Sequence, residues 1–174
     1  MVANHPTLLD VVALIGSMPQ VDCVVKGALW RNWLVRPILT AAGYISNDEG
    51  EALVQEGVRR LRAGRPLLLF PEGTRSPKTG LGYFNRGFAQ MALRAECPIL
   101  PVIIRCEPRA LMKGSSLWTV TDRPFQLSLA VQAPLQVSDF TDISEGFPIA
   151  ARKLTEGMTR YFEDKLSHEE TNGS

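Results

Sequence analysis

A chain of 174 residues, 45% of them apolar and with a net charge of +1, is long enough to bury its own core and too neutral for a broad nucleic-acid footprint. Its three cysteines, Cys23, Cys97 and Cys106, share no C-x-x-C spacing and sit in apolar stretches. That argues against a disulfide framework or a zinc site and for a reducing, cytosol-facing compartment. No segment approaches the ~18 apolar residues of a membrane span, and Met1–Asn4 carries no signal-peptide pattern.

In chain order, Thr7–Ser17 reads as a helix, with Thr7 as N-cap and Asp10 in the acidic position of a capping box. Val21–Val25 is a short β-branched run of strand type. Trp30–Ala42 reads as helical and ends at the C-cap candidate Gly43, after which Tyr44–Ile45 opens another strand. Glu49–Ala63 has helical periodicity through Leu53, Val54, Val58 and Leu61, closing at Gly64. Pro66–Phe70 is an apolar strand that stops at Pro71, and Arg86-Gly87 leads into a helix over Phe88–Ala95. Pro98–Ile104 and Phe125–Val131 read as strands, and Ala150–Leu166 as an amphipathic helix. Strands alternating with helices imply an α/β fold: a single domain over residues 1–166, with a mostly parallel central sheet flanked by helices. Residues 167–174 form a polar, disordered tail.

Two constellations can carry chemistry. In His5-Pro6-Thr7-Leu8-Leu9-Asp10, residues five apart on one continuous helix would point away from each other. Pro6 and Thr7 place His5 in the entry turn instead, so the imidazole can fold back on the Asp10 carboxylate. A carboxylate on one ring nitrogen fixes the tautomer and leaves the other to take a proton from a hydroxyl. The alternative is a surface histidine beside a capping aspartate. The second constellation, Phe70-Pro71-Glu72-Gly73-Thr74-Arg75, follows a buried strand and so falls at a carboxyl end, where ligand clefts of open α/β sheets lie. Gly73 permits a tight turn, Arg75 offers a planar fork for phosphate or carboxylate, and Glu72 can orient that fork or bind an acceptor hydroxyl. Alone, this stretch also reads as an ordinary loop with an exposed ion pair.

Together, in order and spacing, these stretches resemble the glycerolipid acyltransferase family, which includes bacterial 1-acylglycerol-3-phosphate acyltransferases. Asn4–Asp10 is similar to the family's His-four residues-Asp motif, Phe70–Arg75 to its third motif, and Cys97-Pro98-Ile99-Leu100-Pro101-Val102 to its fourth. Phe84 followed by Arg86-Gly87 resembles the family's aromatic-basic-glycine step into a helix. The resemblance implies that His5 is the general base, oriented by Asp10, for attack of an acceptor hydroxyl on an acyl-CoA or acyl-carrier-protein thioester without an acyl-enzyme. Glu72, Gly73, Thr74, Arg75 and Arg86 would hold the polar head of a lysophospholipid-type acceptor. No resident cofactor or metal is implied. There are departures: Asn47 stands where the second motif usually has an arginine, and Asn85 where a lysine is frequent. They bring a non-phosphate or specialised-pathway acceptor into consideration.

The residues Lys26, Trp30, Arg31, Trp33 and Arg36 interleave aromatic and basic side chains, either as a helix on a bilayer surface or as a solvated face over a core. The expected location is the cytoplasmic face of a membrane, peripheral or anchored through a segment upstream of Met1, because a motif at position 4 wants an element before it. Met112–Trp118 reads as a surface loop or a flap. A serine hydrolase is disfavoured by the absence of Gly-x-Ser-x-Gly, and nucleotide loops by the absence of their glycine motifs. A non-catalytic lipid-binding module is the remaining rival.

Overall fold

The elements run in the order β1 (Val2–Ala3), α1 (Asp10–Ser17), β2 (Asp22–Val25), α2 (Arg36–Ala41), β3 (Ile45–Ser46), α3 (Gly50–Arg62), β4 (Leu67–Leu68), α4 (Gly87–Ala95), β5 (Pro101–Glu107), β6 (Gln126–Val131) and α5 (Phe147–His168). This computed structural model describes the chain apart from residues 8, 19, 26, 28–30, 32, 34–35, 47–49, 111–122 and 169–174. Lys26, Trp30, Asn47 and the 112–118 segment therefore lie outside the described residues.

One sheet edge pairs β3-β2-β4 in parallel, and the other runs β1-β5-β6. A parallel bridge between Val2 and Leu69 joins the two halves, giving the order β3-β2-β4-β1-β5-β6. Only β6 is antiparallel, lying against β5 from Val102↔Val131 to Glu107↔Gln126. The expected α/β class is what forms. β1 was not expected, because two residues are too few to show any alternation.

Strand alternation sorts the core onto two faces. Ala3, Cys23, Leu68, Val102 and Ile104 face α1 through Leu14. Val2 and Ile103 point the other way and pack with α4 and α5, around Phe84, Phe88, Leu154, Met158 and Phe162. Leu67 and Ile45 face α3 and Met91. Phe84 meets Phe88 edge-on at 6.1 Å and Phe162 at 5.4 Å, an arrangement that adds about 0.5–1.5 kcal/mol per pair beyond burial. Gly57 lets α3 approach α4, since a Cβ there would stand 2.6 Å from the Met91 sulfur.

Several boundaries move. α1 starts at Asp10 rather than Thr7, although the Thr7 N–H donates to the Asp10 carboxylate (2.9 Å), the reach-back bond of the expected capping box. β5 begins at Pro101 and runs to Glu107, while Ile99 makes only an isolated bridge to Leu135. α5 extends beyond its expected limits at both ends, so that Ser167 and His168 are helical. Among the described residues no helix is long and apolar enough to cross a membrane.

Asp22, at the start of β2, is 3% exposed and faces Arg60 (3.0 Å) and Arg65 (2.6 Å). Arg60 is 13% exposed and would keep only Glu56 and the Gly43 carbonyl if Asp22 were lost. Asp22→Ala is expected to cost about 3 kcal/mol. Arg65→Ala, removing a half-exposed partner, should cost less than ~1 kcal/mol. Urea unfolding followed by circular dichroism checks both, and equal losses would refute the ranking.

Candidate active site

β1 and β4 are parallel neighbours, so their carboxyl ends open on the same edge of the sheet. His5 leaves β1 there, and the 70–75 loop leaves β4 beside it. The turn at Pro6-Thr7 brings His5 Nδ1 to 3.0 Å from Asp10 Oδ2. The contact between His5 and Asp10 expected from the sequence is thus present. An ionised carboxylate only accepts, so Nδ1 carries the proton and Nε2 is the nitrogen left for chemistry. The His5 side chain is 15% exposed and lines a cleft of about 1140 Å³; Asp10 is fully buried behind it. Phe70 packs on the imidazole with ring centroids 4.6 Å apart.

Asp10 Oδ2 takes both hydrogen bonds, from His5 and from Thr7, while Oδ1 is buried with no partner. Burial therefore pushes the Asp10 carboxyl above its ordinary range, with the His5 and Thr7 bonds pulling it back. Asp10→Asn keeps a carbonyl oxygen at the Oδ2 position, removes the charge and puts an amide NH2 at the unpartnered Oδ1 position.

The position of His5 rests on residues that the sequence reading did not single out. Asn4, 2% exposed, donates from Nδ2 to the Ile104 carbonyl (2.8 Å) and accepts the Ile104 N–H on Oδ1 (2.8 Å). Its side chain thereby continues the β1–β5 ladder at the point where the backbone turns away. Ser76 donates its N–H to the His5 carbonyl (2.7 Å) and its hydroxyl to Glu72 Oε1 (2.7 Å). Nothing in a linear reading pairs positions 5 and 76. An asparagine before a histidine, flanked by apolar strand residues, was the only available sign for Asn4.

Of the expected acceptor-binding residues, Gly73, Thr74, Arg75 and Arg86 line the cleft. Gly73 has φ +64°, the left-handed turn that its type suggested. Arg86 sits at the entry of α4, whose N-terminus opens on the cleft and favours anions. Glu72 also borders the cleft, but it is 6% exposed and its carboxylate bonds to protein donors rather than to Arg75. Asn85 donates both its backbone and side-chain N–H groups to the Pro71 carbonyl, at 2.8 and 2.9 Å, so it clips the loop to α4.

The remaining wall is apolar, formed by Val11, Val24, Leu53, Val54, Phe88 and Met91. Cys23 belongs to it, and burial pushes its thiol up to about 12, so it is no thiolate nucleophile at neutral pH. Among the described residues no group of His, Cys, Asp and Glu could hold a metal ion.

The acyltransferase family model matches residues 1–105. This chain belongs to that acyltransferase family. It is 30% identical over 148 residues to the 1-acyl-sn-glycerol-3-phosphate acyltransferase of Limnanthes alba, covering 80% of this chain and 51% of that one. It is 29% identical over 110 residues to the human 1-acyl-sn-glycerol-3-phosphate acyltransferase beta, covering 59% and 39%. The chain spans about half the length of the curated relatives it matches first. The crystal structure of the 1-acyl-sn-glycerophosphate acyltransferase from Thermotoga maritima superposes with a TM-score of 0.68 at 24% identity, over 92% of this chain and 64% of that one. The acyltransferase fold is thereby shown.

The buried Asp10 charge gives a pH signature. A carboxyl whose folded value is raised costs nothing below its unfolded range, near 4, and destabilises progressively as pH rises through the folded value. Relative to the parent, Asp10→Asn is therefore expected to gain stability as pH rises from about 4 to 7. Thermal melts across that range check the sign, and a variant less stable at pH 7 than at pH 4 relative to the parent would contradict it.

Proposed function

We propose that this chain transfers a fatty acyl group from a thioester donor, acyl-CoA or acyl-carrier protein, to a hydroxyl of a lysophospholipid-type acceptor. The observation that carries the reading is the His5–Asp10 pair, with His5 lining the cleft that Arg75, Arg86 and a set of apolar side chains also line. Such a cleft suits a molecule with an acyl chain at one end and an anionic head at the other.

In this mechanism Nε2 of His5 takes the proton as the acceptor oxygen attacks the thioester carbonyl carbon. Asp10 stabilises the imidazolium that results. Collapse of the tetrahedral intermediate breaks the carbon–sulfur bond, and the imidazolium returns its proton to the thiolate. The unreactive Cys23 thiol supports direct transfer over an acyl-enzyme. Arg75, Arg86, Gly73 and Thr74 hold the acceptor head, with the N-terminus of α4 adding its dipole. The names of the relatives favour a phosphate-bearing acceptor.

One observation favours a second reading. Asn85 stands where the family often has a lysine, and its side chain is spent on the Pro71 carbonyl. An acceptor without phosphate would not miss that cation. The protein is read as working at the cytoplasmic face of a membrane, and Trp33, 79% exposed between exposed Arg31 and Arg36, supports interfacial docking.

The test is transfer of labelled acyl groups from both donors to a panel of lysolipids with and without phosphate. His5→Ala should lower turnover by about 10²–10⁴-fold. Arg75→Ala should raise KM for a phosphate-bearing acceptor by roughly 10-fold or more while leaving neutral acceptors unaffected. Free fatty acid as the only product would replace transfer with hydrolysis.

A further inference from the structure

We propose that Glu72 is a positioning residue, which sets the aim of His5 by bracing its main chain against the 70–76 loop and does not bind the acceptor. The inference rests on the acyl-transfer reading and sharpens it. Glu72 Oε1 accepts the His5 N–H at 3.0 Å and the Ser76 hydroxyl at 2.7 Å, and Oε2 accepts the Gly82 N–H at 2.8 Å. Both oxygens are thus occupied by donors from three separate points of the chain, in a side chain buried to 6%.

Two further features show that this bracket is built to fit. A Cβ on Gly82 would lie 2.4 Å from Glu72 Oε2, so the carboxylate reaches that N–H only because residue 82 has no side chain. Ser76 closes the brace from the other side. Its N–H donates to the His5 carbonyl at 2.7 Å, and its hydroxyl oxygen is a second, longer acceptor for the His5 N–H at 3.3 Å. Both main-chain polar groups of His5 are therefore fixed by the loop that carries Arg75.

None of these partners bonds to the imidazole ring, whose Nδ1 belongs to Asp10. The consequence is geometric. Asp10 fixes the tautomer and tilt of the ring, while Glu72 fixes where the ring starts relative to the head-binding rim. Displacement of a reacting group by ~1 Å costs on the order of 10²-fold in rate. A residue that only positions the base lowers kcat and leaves acceptor affinity alone, whereas a residue that binds the acceptor equally in ground and transition states raises KM.

Kinetics of the chain carrying Gly82→Ala, Ser76→Ala or Glu72→Gln, with acyl-CoA and lysophosphatidate as probes, separate these cases. Gly82→Ala is the sharpest variant, because it shifts the carboxylate without altering its charge. The expected result is a kcat lowered roughly 10–100-fold with KM for the acceptor within about 2-fold, opposite to Arg75→Ala. The proton resonance of the His5 Nδ1–H should shift or broaden in the same variants, although none of them touches the ring. If Glu72→Gln does not fold, Ser76→Ala and Gly82→Ala carry the test. An increase in acceptor KM with kcat preserved would overturn the proposal and return Glu72 to the acceptor site. If the unmodified chain shows no transfer, the acyl-transfer reading fails separately. The resonance then decides alone: unchanged in Gly82→Ala and Ser76→Ala, it overturns the brace; altered in both, it upholds it.

Discussion

The geometry of the site depends on β1, a strand of only two residues wedged between β4 and β5. Its own ladder is slight: Val2 donates to the Leu100 carbonyl, Ala3 to that of Leu69, and Leu69 to that of Met1. Such a short strand cannot by itself hold the next residue to the fraction of an ångström that proton transfer requires. The Asn4 side chain supplies what is missing. By exchanging two hydrogen bonds with Ile104, it extends the sheet by one register position without using its own main chain. The backbone of His5 is then free to turn away and meet the loop from β4. Because β1 and β4 are parallel neighbours, histidine and loop emerge side by side although more than sixty positions separate them in sequence.

Two of the buried carboxylates, Asp10 and Glu72, lie at this edge, and a third, Asp22, lies at the start of β2; each is compensated differently. Glu72 has donors on both oxygens, all from protein groups. Asp22 faces two arginines across β2 and α3. Asp10 Oδ1 is buried with no hydrogen-bond partner, an omission that costs about 1–3 kcal/mol for an ordinary buried polar group. In the general-base reading that cost is tied to the chemistry. Further donors on Asp10 would spread its negative charge over neutral N–H groups and leave less for the imidazolium formed when His5 takes a proton. Glu72 has a hydrogen-bond donor on each oxygen, and Asp10, behind His5, does not.

How much was legible in the sequence follows from which interactions are local. His5 and Asp10 could be paired because Pro6 and Thr7 lie between them, so the turn that joins them is written in the same six residues. The α/β class could be read because β-branched runs and helical periodicity alternate over most of the chain. The direction of β6 could not, since alternation of side chains is the same in either orientation. The helix start moved from Thr7 to Asp10, yet the bond from the Thr7 N–H to Asp10 is the one a capping box anticipates. Glu72 is the most instructive case. A carboxylate between proline and glycine, three residues before an arginine, has the composition of a ligand-binding loop. Its actual donors come from positions 5, 76 and 82, and no spacing rule connects them.

The two ends of the cleft are held by different parts of the molecule, and this separation bears on how such a site can vary. His5 and the 70–76 loop are tied together through β1, β4 and the Glu72 bracket, and Asn85 fastens that loop to the start of α4. Phe84, locked edge-on against Phe88 and Phe162, fixes the same point from within the core, so Arg86 projects from a rigid corner. Apart from the α1 residues next to Asp10, the apolar wall is made instead by β2, α3 and α4, where Gly57 admits the flexible Met91 side chain. Substitutions along that wall alter the shape available to an apolar chain without passing strain to His5, because none of its residues shares a hydrogen bond with the bracket. Substitutions in the 70–76 loop lack that freedom, since the loop that carries Arg75 also holds both main-chain polar groups of His5.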